Sequence, residues 1–279
     1  MPIFTIVDGR LMPLGTAFII APNGLLMTAR HVVEAAYATR TRRMGETASF
    51  TIITKLYVLY RNNDPGGLPG TTHGGLWPIT QIWCSNETDI ALCWLWPLFK
   101  GEEPVNYPSL RLSPGLPNVG QKVLGLGYHA MEAAVSNDSA GVMVVDYSEE
   151  LAHASGVIIE IHPRRRDSAM LRFPCFRTDA RFESGMSGGP VFNEVGYVCG
   201  VICSSMAPIE DDPCYISYAS LLWIMMGCEI QIAGTSGGSP ENVTLYDLAL
   251  RGYIATDASI QNVTGAIDGD HKAQVSIRR

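Results

Sequence analysis

The chain is short of charge, of paired cysteines and of long apolar runs, and each shortage removes a class of function. Charged residues make up 17% of 279 positions, and 20 basic against 27 acidic residues leave a net charge of −7. That balance argues against nucleic acid as a partner, because phosphates are bound by basic patches. The one basic run, Arg164–Arg165–Arg166, reads as a solvated loop rather than a phosphate site. No CxxC pair occurs among the cysteines at 84, 93, 175, 199, 203, 214 and 228, so no zinc spacing is present and no metal or cofactor is expected. The apolar segment Leu221 to Gly227 is far shorter than the ~20 residues that cross a bilayer, so no membrane partner is expected. The opening MPIFTIVDGRLMPLG has neither a basic start nor an uninterrupted apolar stretch and does not read as a secretory leader. An odd cysteine count without a leader predicts reduced thiols in the cytoplasm. The N-x-S/T sequons at Asn86, Asn137, Asn242 and Asn262 are read as chance matches in an unglycosylated chain.

What is plentiful is apolar residues (47%), glycine (28) and proline (17), a mixture suited to strands and turns rather than a helical bundle. Short apolar runs recur to residue 205: GTAFIIAPNGLLMTA (15–29), ASFTIITKLYVLY (48–60), DIALCWL (89–95), QKVLGLGY (121–128), GVIIEI (156–161) and GYVCGVICS (196–204). Runs of this length between Gly, Asn and Pro predict an all-β barrel or sandwich. Asn23–Gly24 suits a two-residue type I′ hairpin turn. Residues from His31 predict a short helical turn after the second strand, and 217–228 a last strand running into a short helix. The stretch 61–78 reads as a Gly/Pro-rich surface insertion, and 98–118 as a linker between two halves. The expected division is 1–105, 106–231, and a tail 232–279 that is partly disordered or holds one short helix within 241–254.

The stretch ESGMSGGPVF (183–192) places Ser187 among glycines, where the backbone must bend sharply. Glycine at 185 lets the N–H groups of Gly185 and Ser187 converge on one point, an oxyanion cradle worth roughly 3 kcal/mol per donor. A serine hydroxyl also needs a base and a group that orients the base. His31 follows a strand in LLMTARHVVEAA, whereas His73 lies in the insertion, His271 in the tail, and His129, His153 and His162 read as surface or core residues. Asp89 opens an apolar strand in NETDIALCWL, where an unpaired charge would be costly. Taken singly, a glycine turn, a strand-end histidine and a strand-opening aspartate are ordinary. In the order His31, Asp89, Ser187 they describe a triad.

Those three segments, TARHVV, TDIALCWL and GMSGGPVF…VCGVICSS, resemble the signature segments of trypsin-like serine peptidases over about residues 13–226. The resemblance implies two packed six-stranded antiparallel β-barrels with short helices, His31 and Asp89 on the first, Ser187 on the second, and a C-terminal extension. It implies a serine endopeptidase acting on protein or peptide substrates through an acyl-enzyme. Met186 stands where zymogen-activated members carry the aspartate that pairs with a freed N-terminus, so the chain is similar to the intracellular and bacterial, HtrA-like branch, though without a recognisable PDZ module. By the same resemblance Arg181, six residues before the nucleophile, falls at the base of the specificity pocket, where it would disfavour Lys or Arg; it could equally pair with Asp179 or Glu183. Cys203, Ser204 and Ser205 would form the pocket wall and pair with an extended substrate. Two further expectations stand beside this: a regulatory protein partner in a stress or defence system, and an inactive barrel kept as a binding module.

Overall fold

Strands dominate the computed structural model, which describes residues 1–7, 10–37, 48–51, 56–62, 73–95, 99–100, 103–104, 106–137, 143–206, 215–232, 241–267 and 273–278. Most of the insertion expected at 61–78 lies outside these residues, as do Cys214 and His271.

The first half runs β1 (Pro2–Val7), β2 (Arg10–Ala21), β3 (Leu25–Ala29), α1 (Arg30–Glu34), β4 (Ala48–Thr51), β5 (Leu56–Asn62), β6 (His73–Cys84) and β7 (Ile90–Leu95). These strands form a seven-stranded sheet in the order β4-β6-β5-β1-β2-β3-β7, and β6 also pairs with β7. Six of them therefore close into a ring, with β4 added on β6. A short ribbon follows, β8 (Phe99–Lys100) and β9 (Glu103–Pro104). The second half holds β10 (Lys122–Asn137), β11 (Met143–His162), β12 (Cys175–Thr178), β13 (Pro190–Asn193), β14 (Val198–Met206) and β15 (Ile216–Leu221), a closed six-stranded barrel. All named pairings in both sheets are antiparallel. The all-β, two-barrel architecture expected from the sequence is present, with β4 as an addition.

One local expectation is corrected. A type I′ turn at Asn23–Gly24 needs positive φ at both residues, but Gly24 alone takes it, at +90°. Pro22 fixes its own φ near −65°, which favours a longer connection of residues 22–24 closed by glycine.

Between the barrels the chain runs without a named strand from 106 to 121, yet its backbone is engaged. Tyr107 N–H donates to Pro22 O (2.9 Å), Leu110 to Ile19 O (2.9 Å) and Ser113 to Val198 O (2.7 Å). The long β10–β11 hairpin projects past the second barrel and returns to the first, where Tyr147 meets Phe4 edge-to-face at 5.9 Å. Its register shifts between His129 and Glu132, with Ala130 at φ +46°.

The C-terminal residues hold the short helix expected within 241–254 and add paired strands to it. They form β16 (Glu229–Ile232), β17 (Glu241–Thr244), α2 (Leu245–Leu250), β18 (Val263–Ile267) and β19 (Ala273–Ile277). Thr244 and Asp247 make a reciprocal capping box that starts α2, and Gly252 at φ +78° follows its end. Ile230, Val243, Leu245, Leu248, Ile254 and Val263 are buried in the same core as Ile20, Leu25 and Leu92 of the first barrel. Each such side chain contributes about 1.5–3 kcal/mol on burial, enough to order a segment whose average composition is polar.

Candidate active site

His31 is delivered by a strand buried along its whole length. All five residues of β3 are inaccessible, so its end is rigid, and α1 begins at once with Arg30 and His31. Asp89 precedes β7, the partner of β3 in register Ala29↔Ile90. That pairing sets the carboxylate beside the imidazole: His31 Nδ1 lies 2.7 Å from Asp89 Oδ2, and His31 N–H donates to Asp89 Oδ1 at 3.0 Å. A carboxylate can only accept, so Nδ1 carries the proton and Nε2 is left as the acceptor. The Asp89 side chain is 12% exposed and that of His31 45%, a shielded carboxylate behind an accessible ring. Arg30 closes the loop before Asp89. Its N–H donates to Asp89 O (3.0 Å), Nη1 donates to Ser85 O (2.9 Å), and Nε pairs with Glu34 (2.7 Å).

Desolvation by itself would push the His31 imidazole down in pKa. The hydrogen bond and charge of Asp89, with the more distant charge of Glu34, outweigh it and hold the imidazole above its ordinary 6.5.

Ser187 sits in a turn whose peptide groups are almost all engaged. Met186 N–H donates to Glu183 O (3.1 Å), Gly188 N–H to Ile202 O (2.8 Å) and Gly189 N–H to Met186 O (2.9 Å). Ser187 O accepts from Thr16 N–H (2.8 Å). The N–H groups of Gly185 and Ser187 donate to nothing among the described residues. Gly185 and Gly188 take φ of +93° and +84°, which L side chains rarely adopt. Met186 is fully buried, with its Sδ accepting from Glu183 N–H at 3.2 Å, so an apolar anchor fills the place beside Ser187.

The serine turn of the second barrel is pressed onto the histidine strand of the first. A Cβ on Gly188 would overlap Thr16 O and Thr28 Oγ1 and lie 2.8 Å from Ala29 N, two residues before His31. Ser187 Oγ makes no hydrogen bond to the imidazole among the described residues. Gly188→Ala should combine this overlap with the φ penalty and cost about 3 kcal/mol, read from urea unfolding. A loss below about 1 kcal/mol would show that the contact yields.

The remaining sequence candidates make no hydrogen bond to His31, Asp89 or Ser187 among the described residues, although the Asp89 charge reaches the Cys203 thiol. Arg181 is 58% exposed, pairs with Glu183 (Nε–Oε1 2.6 Å) and stacks over Tyr215 at 4.9 Å. Asp179 instead accepts from Val157 N–H at 2.7 Å. Cys203 is buried, its thiol donating to Tyr218 O at 3.2 Å, and burial pushes it well above the usual thiol range. Ser204 is half-buried, and exposed Ser205 accepts from Ser217 Oγ at 3.3 Å. On one side β14 pairs with β15 through Met206; on the other, β13 reaches only Val201. The backbone edge from Cys203 to Ser205 therefore has no strand partner on that side among the described residues. Two residues of the site had not been singled out as parts of it. Thr16 gives no motif signal, and Arg30 stands in the TARHVV segment without a role of its own in the motif.

No group of three or more His, Cys, Asp or Glu side chains among the described residues is placed to hold a metal. No described helix is long and apolar enough to cross a membrane. Residues 15–201 match the family model described as a trypsin-like peptidase domain. Among solved structures the chain is similar to the MamO protease domain from Magnetospirillum magneticum in its apo form, at 15% identity and a TM-score of 0.43. That alignment covers 79% of this chain and 90% of the other. No curated relative matches at a significant level.

Proposed function

This chain belongs to the trypsin-like peptidase family, and from that premise we propose that it is a serine endopeptidase using His31, Asp89 and Ser187. The observation that carries the reading is the 2.7 Å contact between His31 Nδ1 and Asp89 Oδ2, which leaves Nε2 free to accept a proton at an accessible ring.

In this reading Ser187 Oγ attacks the scissile carbonyl carbon while His31 Nε2 takes its proton. The developing oxyanion is met by the N–H groups of Gly185 and Ser187, the two in the turn without another partner. Collapse of the tetrahedral adduct breaks the C–N bond, and the imidazolium gives its proton to the departing amine. Water, deprotonated by the same imidazole, then hydrolyses the acyl-enzyme ester. The substrate lies extended along the open Cys203–Ser205 edge as an added strand. The exposed guanidinium of Arg181 disfavours Lys and Arg side chains nearby, although Glu183 already balances its charge. The six described cysteines are free, consistent with the reducing cytoplasm proposed for the chain.

The proposal also places the enzyme in a regulated system. A regulatory partner would have to reach the cleft without displacing the C-terminal segment, since Leu245, Leu248 and Ile254 are buried with the first barrel.

The wild-type protein should react with a fluorophosphonate probe, and no reaction under any condition would sink the reading. The pH profile is a second check. A protonated imidazole cannot act as a base, so kcat/KM should fall on acidification with an apparent pKa above 6.5. An acid limb below that value would contradict the site.

A second reading, a barrel kept for binding, is favoured by one observation: no hydrogen bond joins Ser187 to His31. Apo sites commonly tighten only on loading. Peptide binding without labelling or turnover is the outcome that would select this reading.

A further inference from the structure

We propose that Thr16 is a positioning residue that sets the oxyanion turn from the opposite barrel; this rests on the serine-peptidase reading above. Thr16 lies on β2, 2% exposed, and its N–H, its carbonyl and its hydroxyl together make four hydrogen bonds. Its hydroxyl accepts from Tyr128 N–H (2.9 Å) and donates to Gly185 O (3.0 Å). Its N–H donates to Ser187 O (2.8 Å), and its own carbonyl accepts from Thr28 Oγ1 (2.6 Å).

The direction of this relay is forced. Tyr128 N–H can only donate and Gly185 O can only accept, so the single hydroxyl proton must point at Gly185. Valine has the same shape but neither function. Serine keeps both.

The consequence falls on peptide planes. The Gly185–Met186 peptide is held at its oxygen by Thr16 and at its N–H by Glu183 O. The Ser187–Gly188 peptide is held at its oxygen by Thr16 N–H and at its N–H by Ile202 O. One residue of the first barrel thus grips the turn on both sides of the Met186–Ser187 peptide, whose N–H is one of the proposed oxyanion donors. Gly185, at φ +93°, has no Cβ to restrain it, so once its carbonyl is released only the Met186 N–H bond to Glu183 O holds that peptide. Without the hydroxyl, the Gly185 carbonyl and the Tyr128 N–H each lose a partner, and the peptide can turn to find another. The two donors would then no longer converge.

Thr16 also reaches the base. Thr28 stands three residues before His31 on β3, so the chain Thr28–Thr16–Ser187 fixes the nucleophile turn relative to the histidine strand through two hydrogen bonds.

The test compares Thr16→Val and Thr16→Ser by fluorophosphonate labelling rate, by kcat and KM on a peptide substrate, and by amide exchange at Tyr128. The valine variant should lose labelling rate and kcat together, on the order of 10- to 100-fold, with KM little changed, because what is lost is transition-state stabilisation. The serine variant should recover most of that loss. Tyr128 amide protection should vanish in the valine variant and persist in the serine variant, while both unfold cooperatively. If the valine variant does not fold, the wild-type exchange and the serine variant still decide. A Tyr128 amide exchanging like a loop amide in the wild type, or a serine variant with lost activity, overturns the inference. A folded valine variant that labels at the wild-type rate overturns it while leaving the peptidase reading intact. A wild type that never labels removes that reading and the positioning role together.

Discussion

Ser187→Ala should abolish fluorophosphonate labelling and lower kcat by about 10⁶-fold, the scale set by loss of the nucleophile in such triads. The fold should not notice. The hydroxyl makes no hydrogen bond among the described residues, and alanine accepts any backbone conformation that serine does. The turn is held by peptide groups, through Thr16, Ile202, Glu183 and Met186, none of which the substitution touches. Thermal unfolding of the variant should therefore coincide with wild type, while single-turnover acylation disappears. This separation makes the variant diagnostic: a catalytic loss accompanied by a large drop in stability would assign Ser187 to structure. Labelling that survives the substitution would move the nucleophile elsewhere. Residual hydrolysis above the uncatalysed rate is expected, because the two oxyanion donors remain in the variant.

Asp89→Asn is expected to lower kcat by about 10⁴-fold with little change in KM. The reason is the proton, not the volume. Asp89 Oδ2 accepts from Nδ1 and so keeps the acceptor lone pair on Nε2. Asparagine can present an amide N–H₂ to that nitrogen, which then becomes the acceptor, and the ring proton moves to Nε2, where it blocks proton uptake from Ser187. The carboxylate's other oxygen holds His31 N–H, a role the asparagine oxygen can keep, so the loop geometry should survive. The acid limb of the residual activity should shift to lower pH, since the hydrogen bond and charge that raise the imidazole have been removed while desolvation remains. Stopped-flow kinetics and a pH profile would read both effects. A variant within tenfold of wild type would show that Asp89 does not orient the base.

Much of this arrangement could be read from the residues alone, because strand-forming runs and glycine turns are local signals. His31 and Asp89 are each marked by a strand end, and β3–β7 pairing joins two such ends at a distance that an imidazole–carboxylate hydrogen bond needs. Ser187 is marked by glycines whose positive φ values are a local demand. What was not legible depends on contacts distant in sequence. Thr16 becomes part of the site only through Tyr128, Gly185 and Ser187, all more than a hundred residues away, and no motif encodes that meeting. The strands of the C-terminal segment were not legible for a related reason, although its short helix was. Its Gly, Ser and Thr content averages out a few apolar anchors, Ile230, Val243, Leu245 and Leu248, whose spacing follows neither a helical nor a strand period over any long window. Asn23 illustrates the opposite failure, where a strong dipeptide signal is overridden by the proline before it.

The shared burial of the first barrel and the C-terminal residues has a consequence for how the protein unfolds. Leu245, Ile254 and Val263 belong to one hydrophobic cluster with Ile20, Leu25 and Leu92 of β2, β3 and β7. Gly227 likewise packs against Val275, near the end of the chain. The first barrel and the C-terminal strands therefore share one apolar interior, and they should be lost together in a single cooperative unfolding transition rather than in two.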